Sequence, residues 1–220
     1  MNTNQNYRII LADDHVLLRD ALANFINQYD GLSVIGVAAN GKEVIRLFEN
    51  GNRPDLLLLD LNMPEMDGYE TARWIWEHQP EVKILVLTMY DSEIALIRLL
   101  QIGVRGFLKK DVHPSELREA ILSVAENGYY YSNSTTGKLA SFFQKNHSTQ
   151  TSIEKAMLTE REIDFLKLAS TDMTYKEIAQ QMSLTPRSID GYRDGLFDKL
   201  DVRSRVGLAI YAVKNGIVTF

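Results

Sequence analysis

Over its first 128 residues the chain alternates between two textures. Short runs rich in Leu, Ile and Val recur at 8–12, 33–38, 55–59, 83–88 and 106–109. Between them, at 16–28, 42–49, 69–78, 92–101 and 114–126, apolar residues return every three or four positions. The runs are apolar throughout, as strands covered on both faces must be. The stretches between them each carry one apolar stripe, as helices lying on a sheet must. Strand then helix, five times over, predicts a doubly wound α/β domain: a five-stranded parallel sheet between two helical layers.

The texture changes twice more. From 129 to 156 Ser, Thr and Asn dominate and only 139–143 forms an apolar patch, which suits a linker that is partly helical. From 157 onward only helical signals remain. Thr159-Glu-Arg-Glu162 and Thr174-Tyr-Lys-Glu177 are capping boxes, a hydroxyl cap with a glutamate three residues later. Thr185 followed by Pro186 marks another helix start. These signals predict helices at 160–170, 175–182, 186–200 and 204–215, hence a separate all-α four-helix domain of helix-turn-helix type. Asp172 stands in its first turn, where aspartate tolerates a left-handed backbone. The expected domains are therefore 1–128 and 157–220, joined by a linker at 129–156.

Composition narrows the chemistry. Cysteine is absent, which excludes disulfides, thiolate metal sites and cysteine nucleophiles. No apolar run approaches a membrane span and the N-terminus lacks a signal-peptide pattern, so a cytoplasmic address with no membrane partner is expected. The net charge of −5 argues against a general polyanion binder. Its distribution is uneven: residues 1–131 hold 12 Lys and Arg against 19 Asp and Glu, and residues 132–220 hold 12 against 10. That slight excess in the second half points only faintly to nucleic acid.

The acidic residues of the first half stand at strand ends. Asp13 and Asp14 follow the first strand and Asp60 ends the third. Thr88 ends the fourth and Lys110 follows the fifth. In an open parallel sheet, ligands bind outside the carboxyl ends of the strands, where the strand order reverses. Carboxylates gathered there require a cation, and the candidates are the lysine ammonium and a hard divalent ion, best Mg²⁺. An aspartate beside Mg²⁺, a hydroxyl and an ammonium is equipped to accept a phosphoryl group. Taken singly, each strand-end aspartate reads more simply as a turn or helix cap; their joint placement on one sheet edge lifts the set.

"LADDH" at 11–15, "LLLLDLNMPEMDGYE" at 56–70, "VLTMYD" at 86–91 and "GVRGFLKKD" at 103–111 resemble the receiver domain of two-component response regulators, a flavodoxin/CheY-like fold. The resemblance covers residues 7 to about 128. It implies that Asp60 is the phosphoacceptor, that Asp13, Asp14 and Asp60 hold Mg²⁺, and that the backbone carbonyl of Asn62 is a further ligand. Thr88 and Lys110 would bind the phosphoryl oxygens. Strand alternation does not decide between Lys109 and Lys110; the family's aromatic-x-x-Lys spacing from Phe107 selects Lys110. Thr88 and Phe107 fit the family's switch positions, although a plain core phenylalanine is the simpler reading of Phe107. His15 and Arg19 read as packing and surface residues. The implied donor is a phosphohistidine on a sensor histidine kinase.

"LTEREIDFLKLASTDMTYKEIAQQMSLTPRSIDGYRDGLFDKLDVRSR", 158–205, resembles the DNA-binding domain of the LuxR, NarL and FixJ regulators. Together the two halves resemble the NarL/FixJ subclass, whose output is phosphorylation-dependent transcription control through a homodimer on double-stranded DNA. The implied DNA contacts are Thr185, Arg187, Ser188, Asp190, Gly191, Tyr192, Arg193, Asp194, Lys199, Arg203 and Arg205. The reading helix departs from the family, which commonly shows Ser-x-x-Thr-Val-Lys-x-His. Here Asp190 replaces the lysine, Tyr192 the histidine, and Asp194 a second position that is often basic. Asp190 or Asp194 accepting from a cytosine amine is one explanation. Carboxylates orienting Arg187, Arg193 or Lys199 at helical spacing is another. A phosphorylation-gated module that docks protein and no longer binds DNA is the third. An aspartyl-phosphate phosphatase is the enzymatic alternative, but Asn62 stands where such hydrolases carry a second acid. The expectation is no enzyme beyond self-phosphorylation and slow autodephosphorylation.

Overall fold

A computed structural model of the protein describes residues 6–89, 93–145 and 158–218. Packing divides the chain into two compact units, the first ending at Leu139 and the second running from Ala140, with residues 92–95 grouped with the second. The first contains β1 (Tyr7–Ala12), α1 (Val16–Asn27), β2 (Leu32–Ala38), α2 (Gly41–Glu49) and β3 (Leu56–Asp60). It continues with α3 (Gly68–His78), β4 (Lys83–Thr88), α4 (Glu93–Gln101), β5 (Gly106–Lys109) and α5 (Pro114–Asn127). The strands form one parallel sheet in the order β2-β1-β3-β4-β5, so the order reverses between β1 and β3.

Each strand serves both faces. Ile10, Leu57, Leu59, Ile84, Val86 and Phe107 pack with Phe48, Ile75 and Leu99 of α2, α3 and α4. Their neighbours Ile9, Leu11, Leu56, Leu58, Leu85, Leu87 and Leu108 pack with Ile26, Leu117, Ile121 and Val124 of α1 and α5. Alternation along the strand sends successive residues to opposite faces. With helices on both sides, every position must be apolar, which is why the runs show no period of two.

The composition of the expected linker hides order at its start. Tyr130 N–H donates to the Arg105 carbonyl and forms a lone parallel bridge with Gly106, beside β5. Tyr131 lies 5.9 Å, centroid to centroid, from Phe107 and joins Leu139 on the α4 side of the core. A helix, α6 (Asn133–Lys145), begins where Ser132 Oγ accepts from Thr135 N–H, well before the apolar patch. Residues 146–156 of the expected linker lie outside the described residues, as do Ser92, Tyr90 and Asp91.

The second unit contains α7 (Glu160–Ala169), α8 (Tyr175–Gln181), α9 (Pro186–Leu200) and α10 (Arg205–Lys214) around Phe165, Leu166, Ile178, Ile189, Leu196 and Leu208. Both capping boxes form, and Thr185 caps α9 with Pro186 in its first turn. Asp172 is not left-handed. Those positions are Ser183 (φ 54) before α9 and Asp201 (φ 51) after it, with Gly216 after α10. The first turn is closed instead by Thr171, whose hydroxyl donates to the Leu168 carbonyl and accepts from Met173 N–H. No described helix is long and apolar enough to cross a membrane.

Candidate functional site

The carboxyl ends of β1, β3, β4 and β5 bring the expected residues to one edge. Asp13, Asp60 and Thr88 are among the few buried polar residues, with Asp13 and Asp60 at most 1% exposed. Asp60 sits at the end of β3, where α3 starts against its backbone. A Cβ on Gly68 would collide with the Asp60 carbonyl oxygen, so the residue after the Asp67 cap has to be glycine. Lys110 follows β5, and its N–H donates to the Thr88 carbonyl. Its Nζ lies 2.7 Å from Asp60 Oδ2 and 2.9 Å from Asp13 Oδ2. Lys109 is exposed, and Lys110 is the lysine that meets the aspartates.

One ammonium does not balance this site. Burial pushes the Asp60 carboxyl up against the pull of Lys110 and the Asn62 N–H, and the Asp13 charge adds to the push. Burial also disfavours the Lys110 charge, but its bonds to Asp60 and Asp13 outweigh that and raise it. Asp60 Oδ1 is buried without a hydrogen-bond partner. Oxygens of Asp13, Asp14 and Asp60, with a nitrogen of His15, lie within 4.8 Å of one another. An orphaned carboxylate oxygen among hard oxygen donors fits a metal site.

His15 and Arg19 flank the acidic cluster. The His15 N–H donates to Asp13 Oδ1, and its ring Nδ1 lies 3.0 Å from Asp13 and 2.9 Å from Asp14. Arg19 Nη1 donates to the Asp13 carbonyl. The signal was the adjacency in "DDH", which composition and period do not register. Thr88 and Phe107 line one cavity of about 370 Å³ together with Ser132, Thr135 and Lys138.

In the second unit the charges of α9 are distributed unevenly. Arg193 Nη1 donates to Asp190 Oδ1 at 2.9 Å and Nε donates to Asp194 Oδ1 at 2.8 Å. Lys199 turns away from the aspartates and meets both oxygens of Glu162 at 2.9 and 2.8 Å. Burial would raise the Glu162 carboxyl, but Lys199 and the Thr159 bonds lower it. Arg205 donates to the carbonyls of Ala169 and Thr171, so it closes the end of α7. Tyr192 is half-buried against Phe165, and Thr185 and Ser188 bond each other at the helix start. Arg187, Gly191 and Arg203 are exposed.

Comparison with known proteins matches residues 9–122 to the response regulator receiver domain. Residues 156–212 match the bacterial regulatory proteins of the luxR family. The nitrate/nitrite response regulator protein NarL of Escherichia coli K12 is 33% identical over 217 residues, 99% of this chain and 100% of NarL. The chain belongs to the NarL/FixJ response regulators.

The regulator is also 30% identical to response regulator GacA of Pseudomonas aeruginosa, over 96% of this chain and 97% of GacA. Its fold is that of RcsB from Salmonella enterica serovar Typhimurium, solved bound to a promoter with the phosphomimetic BeF3⁻. There the TM-score is 0.70 and the identity 23%, over 95% of this chain and 99% of that one. The family is one of transcription regulators, with a receiver and a LuxR-type DNA-binding domain.

Proposed function

We propose that Asp60 accepts a phosphoryl group from a phosphohistidine of a sensor histidine kinase. A carboxylate oxygen of Asp60 attacks phosphorus and the P–N bond breaks. Neutral imidazole departs, its other ring nitrogen already carrying a proton. Lys110 holds one Asp60 oxygen and follows the charge onto the transferring oxygens, and the Thr88 hydroxyl donates to one of them. The donor set fits Mg²⁺, which Asp13, Asp14, Asp60 and the Asn62 carbonyl would hold and which supplies charge neutralisation when bound. The carrying observation is the buried Asp60, held on one oxygen by Lys110 and unpartnered on the other.

Phosphorylation then shifts a two-state equilibrium through Thr88 and Phe107, favouring a dimer. Its two copies of α9 would meet paired half-sites in double-stranded DNA. RcsB structures with a phosphomimetic on promoter DNA, and with two dimers on two DNAs, support this reading. The contacts proposed are Thr185, Arg187, Ser188, Asp190, Gly191, Tyr192, Arg193, Asp194, Lys199, Arg203 and Arg205. The regulator performs no catalysis beyond its own phosphorylation and slow autodephosphorylation.

Intact-mass measurement after incubation with acetyl phosphate and Mg²⁺ should show one phosphoryl adduct, absent from Asp60→Asn and after chelation. An adduct that persists in Asp60→Asn, or steady turnover of a phosphomonoester, overturns the assignment. Sedimentation with beryllofluoride should show a dimer; an unchanged monomer removes the activation step.

A further inference from the structure

The outward stripe of α9 reads Arg187, Asp190, Gly191, Asp194, Gly195, Asp198, all exposed, while Ile189 and Leu196 face the core. Nothing inside the unit requires the two glycines. A Cβ at 191 or 195 would meet no atom within 4 Å. Each glycine nonetheless forgoes about 1 kcal/mol of helix propensity relative to alanine. A helix that keeps bare backbone on its outward face, with no internal reason, leaves room for something that approaches from outside.

The charges along that stripe are ordered. Arg193 lies on its flank, with its guanidinium 5.6 Å from the Tyr175 ring centroid. It takes Oδ1 of Asp190 with Nη1 and Oδ1 of Asp194 with Nε. The two side chains remain 55% and 63% exposed, and their second oxygens stay available as acceptors. A carboxylate can only accept, so in a major groove it pairs with an exocyclic amine and is repelled by guanine O6 and N7 and by thymine O4. Adenine presents its amine beside the acceptor N7, whereas cytosine presents its amine beside C5–H. Cytosine is the better partner.

We infer that Asp190 and Asp194 each read the amine of a cytosine, and that Arg193 is the positioning residue that holds both carboxylates and cancels one of their charges. This rests on the DNA-binding reading above. The carboxylates are one helical turn apart, about 6 Å along the axis, which corresponds to about two base steps.

The test is selection of random duplexes by the full-length, beryllofluoride-treated regulator, repeated with Asp190→Ala, Asp194→Ala and Arg193→Met. Thermal melts establish that each variant is folded; the aspartates are exposed and their removal leaves the core intact. Wild type should select a motif containing two cytosines about two steps apart. Each aspartate variant should lose roughly tenfold preference at one of them and keep the rest of the motif. Arg193→Met should blur both positions together, whereas a merely structural role would weaken all sequences alike. If the aspartate variants bind every duplex more tightly with unchanged preferences, the aspartates only repel the backbone. The inference then fails while DNA binding stands. If wild type selects no motif even at low salt, the DNA-binding reading fails and takes the inference with it.

Discussion

Replacing Lys110 by methionine keeps the stem and removes the ammonium that meets both Asp60 and Asp13. The ammonium-bearing side chain is 8% exposed and its two carboxylate partners 1% each. Breaking a buried pair from one side costs about 3–5 kcal/mol, because the remaining charge is stranded. Asp60 is stranded and Asp13 keeps its His15 contacts, so Lys110→Met should fall within this range in chelator-treated buffer. Both tryptophans of the chain, Trp74 and Trp76, lie in α3, so their fluorescence follows the receiver alone. With a urea dependence of about 2 kcal/mol/M, the receiver midpoint should fall by about 2 M.

The same experiment carries a pH signature. Burial raises the folded-state pKa of Asp60, and losing Lys110 removes an interaction that restrains that rise. A carboxyl raised in the folded state costs stability wherever the unfolded chain ionises more readily. The penalty is absent below the unfolded value, grows as pH rises from there and is complete above the folded one. Lys110→Met should therefore recover stability as pH falls toward the ordinary aspartate range. Adding Asp60→Asn should restore most of the loss at neutral pH. A Lys110→Met midpoint equal to wild type, or a double variant no more stable than the single, would refute the assignment of Lys110 as the stabilising cation.

Gly191→Ala combined with Gly195→Ala should stabilise the second unit by about 2 kcal/mol, seen as a higher calorimetric transition, while weakening DNA binding in a gel shift. Lys199→Met should destabilise that unit by about 1–3 kcal/mol, because it abandons Glu162, whose side chain is only 17% exposed. The lowered Glu162 pKa makes that contribution present above the unfolded carboxyl range and lost as pH falls, which denaturation of wild type and variant at two pH values will check. Burial, followed by the charges of Glu116 and Glu119, pushes the Tyr130 phenol up to about 12. Ultraviolet titration should show a late-ionising tyrosine component that is missing in Tyr130→Phe. Its stabilising preference for the protonated form holds below the ordinary tyrosine value and is lost as pH rises through about 12.

The receiver was largely legible because its signals are local or periodic. Its strand runs and strand-end acids stand in short stretches of sequence, as do the capping boxes at Thr159 and Thr174 in the second unit. Where the signal is a contact across the chain, the sequence carried little of it. The Ser/Thr-rich composition after residue 128 reads as linker, yet Tyr130 extends the edge of β5 and Tyr131 meets Phe107, 24 residues earlier in sequence. Aromatic residues dock by finding a surface, and nothing local announces which surface. Propensity alone favours Asp172 for the left-handed turn position. Thr171 satisfies that turn with its own hydroxyl, and the positive φ falls at Ser183 and Asp201.

The cations of the reading domain show the same limit with a functional consequence. Local spacing pairs Asp190, Asp194 and Asp198 with Arg187, Arg193 and Lys199, but only Arg193 accepts the arrangement. Lys199 is drawn to Glu162, 37 residues away in sequence, and Arg205 to the carbonyls that end α7. Of the five cations the sequence offers to phosphate, Arg187 and Arg203 remain exposed and make no ion pair with a described residue. Each phosphate neutralised contributes about −0.9 to the slope of log affinity against log salt. A dimer using two cations per copy should show a slope of about −4, and one using all five about −9. Fluorescence anisotropy on a selected duplex across a salt series separates these values. The steeper slope would mean that Arg193, Lys199 and Arg205 leave their partners on DNA, and the clamp between Asp190 and Asp194 would then belong to the free protein alone.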